Sequence, residues 1–140
     1  MDDTRLRSAL HKAHILNYVD SLNGGLEHEI TEDGQTFSVG QRQLLCLARA
    51  LLRRSQFLIL DEATASVDLE TDRLIQKTIR ENFSASTILT IAHRLDTIRD
   101  FDRVMVMEQG RLVEFDRIDR LLKNKNSRFA RMVRASHGAF

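Results

Sequence analysis

The order of apolar and polar positions along the chain predicts several helices. The first is indicated by apolar residues at helical spacing, which are Leu6, Leu10, Ala13 and Leu16. We expect Thr4 to cap this helix. A longer helix is predicted over 41–53, where apolar residues cover more than one face and indicate burial. An amphipathic helix is predicted over 69–82.

Short apolar runs between these helices predict strands. Residues 57–60 are apolar on both faces, which is typical of a buried parallel strand. Residues 87–91 are rich in β-branched side chains, and 104–107 turn through Gln109-Gly110 into a hairpin. Further short helices are expected at 95–99, 118–122 and 128–134. The alternation predicts an α/β sheet of parallel strands with flanking helices and a C-terminal hairpin.

Composition narrows the class of protein. The 140 residues suit one domain or part of one, and no run is long and apolar enough to span a bilayer. Cys46 is the only cysteine, so an internal disulfide is excluded, and its apolar helix predicts a small core residue. From Arg111 onward the sequence contains eight Lys and Arg residues but only three Asp and Glu residues. We interpret this basic tail as a solvated helix surface and expect no nucleic-acid partner, because aromatic residues do not alternate with the charges.

Acidic and histidine side chains follow two of the predicted strands. Asp61 and Glu62 end the first strand in the stretch LILDEATASVD, and His93 follows the second. The carboxyl ends of strands in an open α/β sheet form ligand sites, so we expect these residues to converge. Asp61 is suited to magnesium, Glu62 to activating water and His93 to a terminal phosphate. The alternative is that the acids begin a turn and His93 caps a helix, which the convergence makes less favoured.

A second candidate site lies at the start of the long helix. Ser38, Val39, Gly40 and Gln41 supply a hydroxyl and free backbone N–H groups, which together can bind an anion. Gly40 also allows backbone to approach a phosphate closely. The alternative is an ordinary serine N-cap, worth ~1 kcal/mol, and the spacing alone favours that alternative. A phosphate-binding loop of the form G-x-x-x-x-G-K-[ST] does not occur among the six glycines.

These segments resemble the motifs of one family. FSVGQ at 37–41, continued by RQLLCLARALLRR, resembles the signature and helix of ABC transporters, and LILDEATASVD resembles their Walker B strand and D-loop. TILTIAHRLDTI and DRVMVMEQGRLVEFD are similar to the switch-histidine segment and the hairpin after it. The resemblance runs from about Asp3 to Arg134. It is closest to the second nucleotide-binding domain of subfamily C, the multidrug-resistance-associated type, although Phe37 and Val39 replace the commoner Leu and Gly.

The resemblance implies a P-loop NTPase-like fold, ATP and Mg²⁺ as cofactors, and a role for each candidate. It makes Asp61 the magnesium-positioning aspartate, Glu62 the general base and His93 the switch histidine. Asp68 becomes the D-loop aspartate. The signature, which touches ATP held by the opposite domain, is Ser38, Val39, Gly40 and Gln41.

The resemblance also implies an incomplete domain, the C-terminal half. We expect residues 1 to about 55 to end the helical subdomain and 56–140 to form the Walker B half of the core. Walker A and the Q-loop would lie upstream, so the isolated chain should not hydrolyse ATP. The expected partners are the N-terminal half, a second nucleotide-binding domain and transmembrane domains, at the cytoplasmic side of a membrane.

Two other functions remain open, and one physical consequence follows. The chain can be a non-catalytic module that lends its signature to another cassette, or a soluble ABC-type ATPase acting on nucleic acid. The nucleic-acid ATPase is the less favoured of these, because the motif sequences resemble those of exporters. If upstream sequence normally covers the sheet, apolar patches should be exposed near Leu58 and Leu89.

Overall fold

The computed structural model describes residues 2–30, 36–61, 67–91, 95–98 and 100–136, without the side chains of Asp96 and Thr97. The chain forms two compact units, 1–91 and 92–140. The predicted division near residue 55 concerns subdomains of the family and stays a prediction. Within the described ranges, no helix is long and apolar enough to cross a membrane.

The described part of the first unit contains four α-helices and a short 3-10 helix. They are α1 (Asp3–Lys12), α2 (Leu16–Ser21), the 3-10 helix Gly25–Glu27, α3 (Val39–Arg53) and α4 (Leu69–Asn82). The predicted cap of α1 is wrong: Asp2 caps the helix, accepting a 3.0 Å hydrogen bond from the backbone N–H of Thr4. The helix also ends earlier than predicted, because His14 has a φ of 58° and Leu16 begins α2.

Two parallel strands accompany these helices. β1 (Phe57–Asp61) and β2 (Thr87–Ile91) pair in parallel, from Phe57 opposite Thr87 to Asp61 opposite Ile91. This confirms the two predicted strands and their direction. Half-buried Leu58, Leu60 and Ile88 pack against the core of the unit. That core consists of Ala9, Leu10, Ala13, Ile15, Val19, Phe37, Leu44, Leu47, Ala48, Ile75, Ile79 and Phe83.

The other face of the strand pair is exposed. Phe57 and Ile59 are each 72% exposed, and Leu89 and Ile91 are 43% and 54% exposed. Successive side chains of a strand point to opposite faces, so this surface follows from the in-register pairing. The prediction that β1 is buried on both faces is therefore wrong within the described structure. The apolar patch expected near Leu89 is found. The patch expected near Leu58 is formed by its exposed neighbours Phe57 and Ile59, because Leu58 itself is half-buried.

The long helix α3 is amphipathic rather than buried all round. Gly40, Leu44, Leu47 and Ala48 are buried, while Leu51 and Leu52 are half-buried. Cys46 is exposed, so its assignment to the core is wrong. At helical spacing Cys46 lies on the face of α3 opposite Leu44, Leu47 and Ala48, and that face is exposed.

The second unit is built on a hairpin. Its elements are α5 (Leu95–Ile98), β3 (Arg103–Glu108), β4 (Arg111–Arg117), α6 (Ile118–Lys123) and α7 (Arg128–Ala135). The predicted C-terminal hairpin is confirmed, because β3 pairs antiparallel with β4. The sequence pattern also made 104–107 the third strand of the α/β sheet, whereas among the described residues β3 and β4 form a separate sheet of two strands.

The hairpin has a tight turn and a bulge. Gln109 and Gly110 both have positive φ, 48° and 74°, as a two-residue type I′ turn requires. The register shifts between Val106 and Met107: Val106 pairs with Glu114, whereas Met107 pairs with Leu112. Val113 is therefore the extra residue of a β-bulge in β4.

A carboxylate of the hairpin caps the last helix. Glu114 accepts hydrogen bonds from the backbone N–H groups of Arg128 (2.7 Å) and Phe129 (3.1 Å). The hydroxyl of Ser127, which is 1% exposed, donates a third bond of 3.0 Å. Arg128 also forms an ion pair with Glu108 of β3. These contacts fix α7 on the hairpin, around a core of Val104, Leu121, Phe129 and Val133.

Candidate functional site

The carboxyl end of the parallel strand pair carries the first candidate residue. Asp61 is the last residue of β1, is exposed, and lies opposite Ile91, the last residue of β2. Glu62 directly follows Asp61 in sequence, and His93 comes two residues after Ile91. Both lie outside the described residues, so their convergence with Asp61 stays a prediction.

Asp61 borders a cleft between β1 and α3. The cleft has a volume of about 320 Å³, and its lining includes Cys46, Arg49, Arg53 and Ile59. Among the described residues, no group of three or more His, Cys, Asp and Glu side chains could hold a metal ion. Mg²⁺ is usually bound through one or two carboxylates together with waters and substrate phosphates. An exposed aspartate at a strand end fits that kind of site.

The signature segment forms the start of α3. The Gln41 backbone N–H donates to the Ser38 Oγ at 3.2 Å, and the Gln41 Oε1 accepts from the Ser38 backbone N–H at 2.9 Å. This reciprocal pair is a capping box. The first intrahelical bond runs from the Arg42 N–H to the Ser38 carbonyl, so the N–H groups of Val39 and Gly40 precede it. The Ser38 hydroxyl keeps its own proton to donate.

Aromatic packing holds the segment that leads into this helix. Phe37 is 6% exposed and contacts the ring of Tyr18 edge-on, with 5.5 Å between the ring centroids. The Tyr18 hydroxyl donates a hydrogen bond to the carbonyl of Thr36. Ser38 and Val39 are exposed directly after this anchor. Ser38 and Val39 are thus presented to solvent from a backbone that this aromatic packing holds in place.

Gly40 is required by a neighbouring helix. A Cβ at Gly40 would lie 2.4 Å from the Thr71 Cγ2 and 2.9 Å from the Val67 Cγ1, distances that real Cβ atoms essentially never show. The glycine therefore admits the start of α4. The approach of a phosphate to Gly40, which was expected from the sequence, stays a prediction.

Asp68 caps α4 beside this contact. Its Oδ1 accepts a 2.9 Å hydrogen bond from the backbone N–H of Thr71. That bond, followed by one from the Thr71 side chain, holds the pKa of the Asp68 carboxyl below its usual range. Asp68 is exposed and ionised at neutral pH, with its carboxylate fixed at the helix start.

Comparisons with known proteins agree with these motifs. The family described as ABC transporter matches residues 2–65. Multidrug resistance protein mrp-7 of Caenorhabditis elegans is 54% identical over 131 residues, which cover 94% of this chain and 9% of that protein. ATP-binding cassette sub-family C member 4 of Homo sapiens is also 54% identical over 131 residues, or 94% of this chain and 10% of that protein.

A solved structure gives the fold. The structure of a bacterial Atm1-family ABC exporter with ATP bound superposes with a TM-score of 0.83 at 33% identity, over 96% of this chain and 23% of that chain. The chain thus spans about a tenth of the length of the curated relatives that it matches. The α/β, P-loop NTPase-like fold and the subfamily C resemblance are both confirmed. The chain belongs to the ABC transporter family, as part of a nucleotide-binding domain of the subfamily C type.

Proposed function

We propose that the chain is the ATP-binding and hydrolysis half-module of an ABC exporter, where ATP hydrolysis is coupled to transport across a membrane. The observation that carries the proposal is the in-register parallel pair, which ends at Asp61 and Ile91. Glu62 and His93 follow these ends in sequence. Ligands of open α/β folds bind at such an edge.

The proposed chemistry divides among three side chains. Asp61 would hold Mg²⁺, through water or directly, since a hard cation prefers oxygen ligands. Glu62 would accept the proton of the attacking water, and His93 would donate a hydrogen bond to the terminal phosphate. The metal would neutralise charge on the phosphate oxygens. The proposal is supported by the pairing of β1 with β2, which places Asp61 opposite Ile91.

The proposed second surface faces ATP held by another nucleotide-binding domain. Ser38 would donate its hydroxyl proton, and Val39 and Gly40 their backbone N–H groups, to phosphate oxygens. Gln41 would act mainly by holding the cap through its bond to the Ser38 N–H. Asp68, the N-cap of α4, would belong to the same surface.

This role needs further partners. We propose an N-terminal domain half that supplies the phosphate-binding loop, a second nucleotide-binding domain and the transmembrane domains of an exporter. The complex would place this chain at the cytoplasmic side of the membrane. The chain alone would not hydrolyse ATP, because a phosphate-binding loop and its lysine are needed to hold the β- and γ-phosphates.

The test joins this chain to the N-terminal domain half of a subfamily C relative. We expect magnesium-dependent ATP hydrolysis by the completed domain and none by the chain alone. Glu62→Gln should retain ATP binding and lower turnover by ~10²–10⁴-fold, the usual effect of removing a general base. Asp61→Asn should weaken the dependence of turnover on Mg²⁺.

Matched controls use exposed acids outside the proposed site. Asp3→Asn and Glu29→Gln make the same chemical changes on the surface of the first unit and should leave turnover unchanged. A loss of less than tenfold in Glu62→Gln would show that Glu62 is not the base. Magnesium-dependent turnover by the chain alone would contradict the need for an N-terminal half.

The alternative function is a non-catalytic module that lends its signature to another cassette in trans. The exposed start of α3 favours it, because Ser38 and Val39 face solvent from a helix start that is held by its own capping box. Mixing the chain with a separate cassette that has an impaired signature distinguishes the two functions. Rescue that survives Glu62→Gln but not a change at Ser38 would support the alternative.

A further inference from the structure

Tyr18 of α2 contacts two consecutive residues that lead into α3. Its hydroxyl donates a hydrogen bond to the backbone carbonyl of Thr36. Its ring meets the ring of Phe37 edge-on, with 5.5 Å between the centroids and 64° between the planes. Aromatic rings prefer such an arrangement, which stabilises a pair beyond the area that it buries. One half-buried side chain thus joins α2 to the residues directly before the Ser38 cap.

The helix that carries Tyr18 is itself packed in place. Ile15, the N-cap of α2, is 2% exposed and Val19 is 6% exposed, and both belong to the core of the first unit. The Asp20 carboxylate also forms a 2.6 Å ion pair with Arg7 of α1. Both side chains of that pair are more than a third exposed, so it contributes little and the apolar burial dominates. Tyr18 therefore acts from a fixed support.

The two contacts of Tyr18 restrict the backbone at Phe37. A peptide group is planar, so fixing the Thr36 carbonyl also fixes the direction of the Phe37 N–H. The ring contact and the burial of Phe37 fix its side chain. The N and Cβ atoms of Phe37 are then both placed, and only rotation about its ψ angle is left to orient Ser38.

The capping box does not supply this placement. Its two bonds join Ser38 to Gln41, and the first intrahelical bond joins Ser38 to Arg42, so all three lie within the start of α3. They fix the shape of the helix start but not its direction relative to the core. Gly40 is buried and places the other side of this turn. Tyr18 supplies a second point of attachment, one and two residues before the cap.

We propose that Tyr18 is a positioning residue for the start of α3: its hydroxyl and its ring set the direction in which Ser38 and Val39 present their donors to a phosphate. The inference rests on the proposed function for that ligand, which is ATP held by another nucleotide-binding domain. Donors that are aimed in advance stabilise a transition state without reorganisation during the reaction. Because misplacement by ~1 Å can lower a rate by ~10²-fold, the loss of one attachment should be measurable in turnover.

Tyr18→Phe removes the hydroxyl and keeps the ring. In the chain without nucleotide, hydrogen exchange followed by NMR at the Gln41 and Arg42 N–H groups reads the helix start, because both donate to Ser38. We expect their protection to fall by ~5-fold relative to that of Ala48, the effect of losing about one net hydrogen bond locally. Ala48 is buried near the middle of the same helix, so this ratio separates local loosening from a loss of global stability.

Ser86→Ala is the matched control. The Ser86 hydroxyl also donates to a backbone carbonyl distant in sequence, that of Ser55, at 2.7 Å. Ser55 follows the far end of α3, and the fifteen residues of that helix separate its two ends by ~22 Å. This variant should change the protection of the helix start and of Ala48 by the same factor.

Phe37→Leu tests the ring contact separately. Leucine keeps an apolar side chain in the core and removes the edge-on ring pair, while the Tyr18 hydroxyl can still donate to the Thr36 carbonyl. This variant should also loosen the helix start. Its combination with Tyr18→Phe should lower the relative protection of Gln41 more than either single change, and a combination that leaves this protection unchanged would overturn the proposal.

Turnover by the completed domain reads the consequence for the proposed reaction. The opposite domain would hold the ATP mainly through its phosphate-binding loop, so Tyr18→Phe should act on the transition state more than on binding. We expect kcat to fall by ~3–10-fold and KM for ATP to stay within ~2-fold. Ser86→Ala should leave both unchanged.

Failure of this inference is distinguishable from failure of the proposed function. Equal changes in protection at the helix start and at Ala48 in Tyr18→Phe would overturn the positioning role, and so would a local loss of the same size in Ser86→Ala. Local loosening with an unchanged kcat would overturn the role of Tyr18 in presenting donors. If the unsubstituted completed domain shows no turnover, the proposed function fails, and hydrogen exchange still decides whether Tyr18 fixes the helix start.

Discussion

The helices α3 and α7 both begin with a serine cap, but they differ in whether other residues accept hydrogen bonds from their first backbone N–H groups. In α3 the Ser38 Oγ accepts from the Gln41 N–H, and the N–H groups of Val39 and Gly40 have no acceptor within the described part of the chain. In α7 the Ser127 Oγ accepts from the Ala130 N–H at 3.2 Å. There the two preceding N–H groups both donate to Glu114.

The difference lies in what reaches the helix start from elsewhere in the fold. Unpaired N–H groups and the helix dipole make any helix N-terminus attractive to an anion. The hairpin supplies α7 with an internal carboxylate, so that start is closed and serves stability. The start of α3 is exposed and receives no such group among the described residues, so it remains open to an external anion. A serine cap by itself does not distinguish the two cases.

The largest contrast is expected from placing the same charge at both caps. Ser127→Asp would bury a second carboxylate beside Glu114, which should cost ~3–5 kcal/mol, as uncompensated buried charges do. Ser38→Asp keeps a good cap at an exposed position and should change stability by less than ~1 kcal/mol. Hydrogen exchange followed by mass spectrometry reads each unit separately. Similar losses in both variants would break the comparison.

Ser38→Asp also tests the open start directly. In the completed domain, its carboxylate should compete with the phosphate for the N–H groups of Val39 and Gly40 and lower ATP turnover at least tenfold. Ser38→Thr, which keeps a neutral hydroxyl cap, is the matched control and should retain turnover. Full turnover by Ser38→Asp would mean that no anion binds there.

Removing the charge of Glu114 should have the next largest effect. Glu114→Gln leaves three donors facing an amide that can satisfy only part of them, and hydrogen bonds to charged groups are worth ~1.5–3 kcal/mol. We expect the second unit to lose ~1–3 kcal/mol. Asp116→Asn on the same strand breaks a surface ion pair with Arg120 and should cost less than ~1 kcal/mol.

Alanine substitutions should reveal a smaller difference between the caps. Ser127→Ala removes both the cap and the bond to Glu114 from a buried site, so we expect a loss of ~2 kcal/mol. Ser38→Ala removes an exposed cap and should cost ~1 kcal/mol or less. Thermal melts of each variant, combined with hydrogen exchange at 36–45 and 127–135, measure the difference. A larger loss of stability in Ser38→Ala than in Ser127→Ala would show that Ser38, and not Ser127, is the cap that matters more for stability.

The smallest expected effect is a pH dependence confined to the closed start. Burial raises the pKa of Glu114, but the bonds from Phe129, Arg128 and Ser127 and the charge of Arg131 outweigh it, so its pKa lies below 4.5. Because the folded pKa is depressed, this stabilisation is fully present above pH 4.5 and is lost as the pH falls through the folded value. Acid unfolding of the second unit should therefore become shallower in Glu114→Gln.

Local patterns predicted the strands and helices better than their partners. Residues 57–61 and 87–91 are short apolar runs, and their strand character follows from their own side chains. The hairpin of 103–108 was predictable from the local Gln109-Gly110 turn, whereas its place outside the parallel sheet depends on contacts with distant residues, which leave no local pattern. The early end of α1 was missed because the apolar spacing continues across the turn at His14.

The candidate site was predictable where its contacts are local. The caps at Ser38 and Asp68 are made by residues three positions further along the chain, which is within the reach of a pattern. The contact between Gly40 and Thr71 joins residues 31 positions apart and leaves no periodic signal. Glu114 likewise reaches 13 to 15 positions forward. For Thr71, the spacing Asp-x-x-Thr was the available sign, since it is typical of a helix cap.

The bulge at Val113 also bears on how this hairpin can change length during evolution. Deleting Val113 would give β4 a regular ladder with the same Gln109-Gly110 turn, and would keep Val106 opposite the capping glutamate. A deletion beyond the glutamate, for example at Phe115, would instead shift Asp116 and Arg117 to the opposite face and shorten the spacing from the glutamate to the serine cap. Aligned relatives should therefore concentrate single-residue length differences in this hairpin at the bulge, while the spacing from the glutamate to the serine cap stays constant.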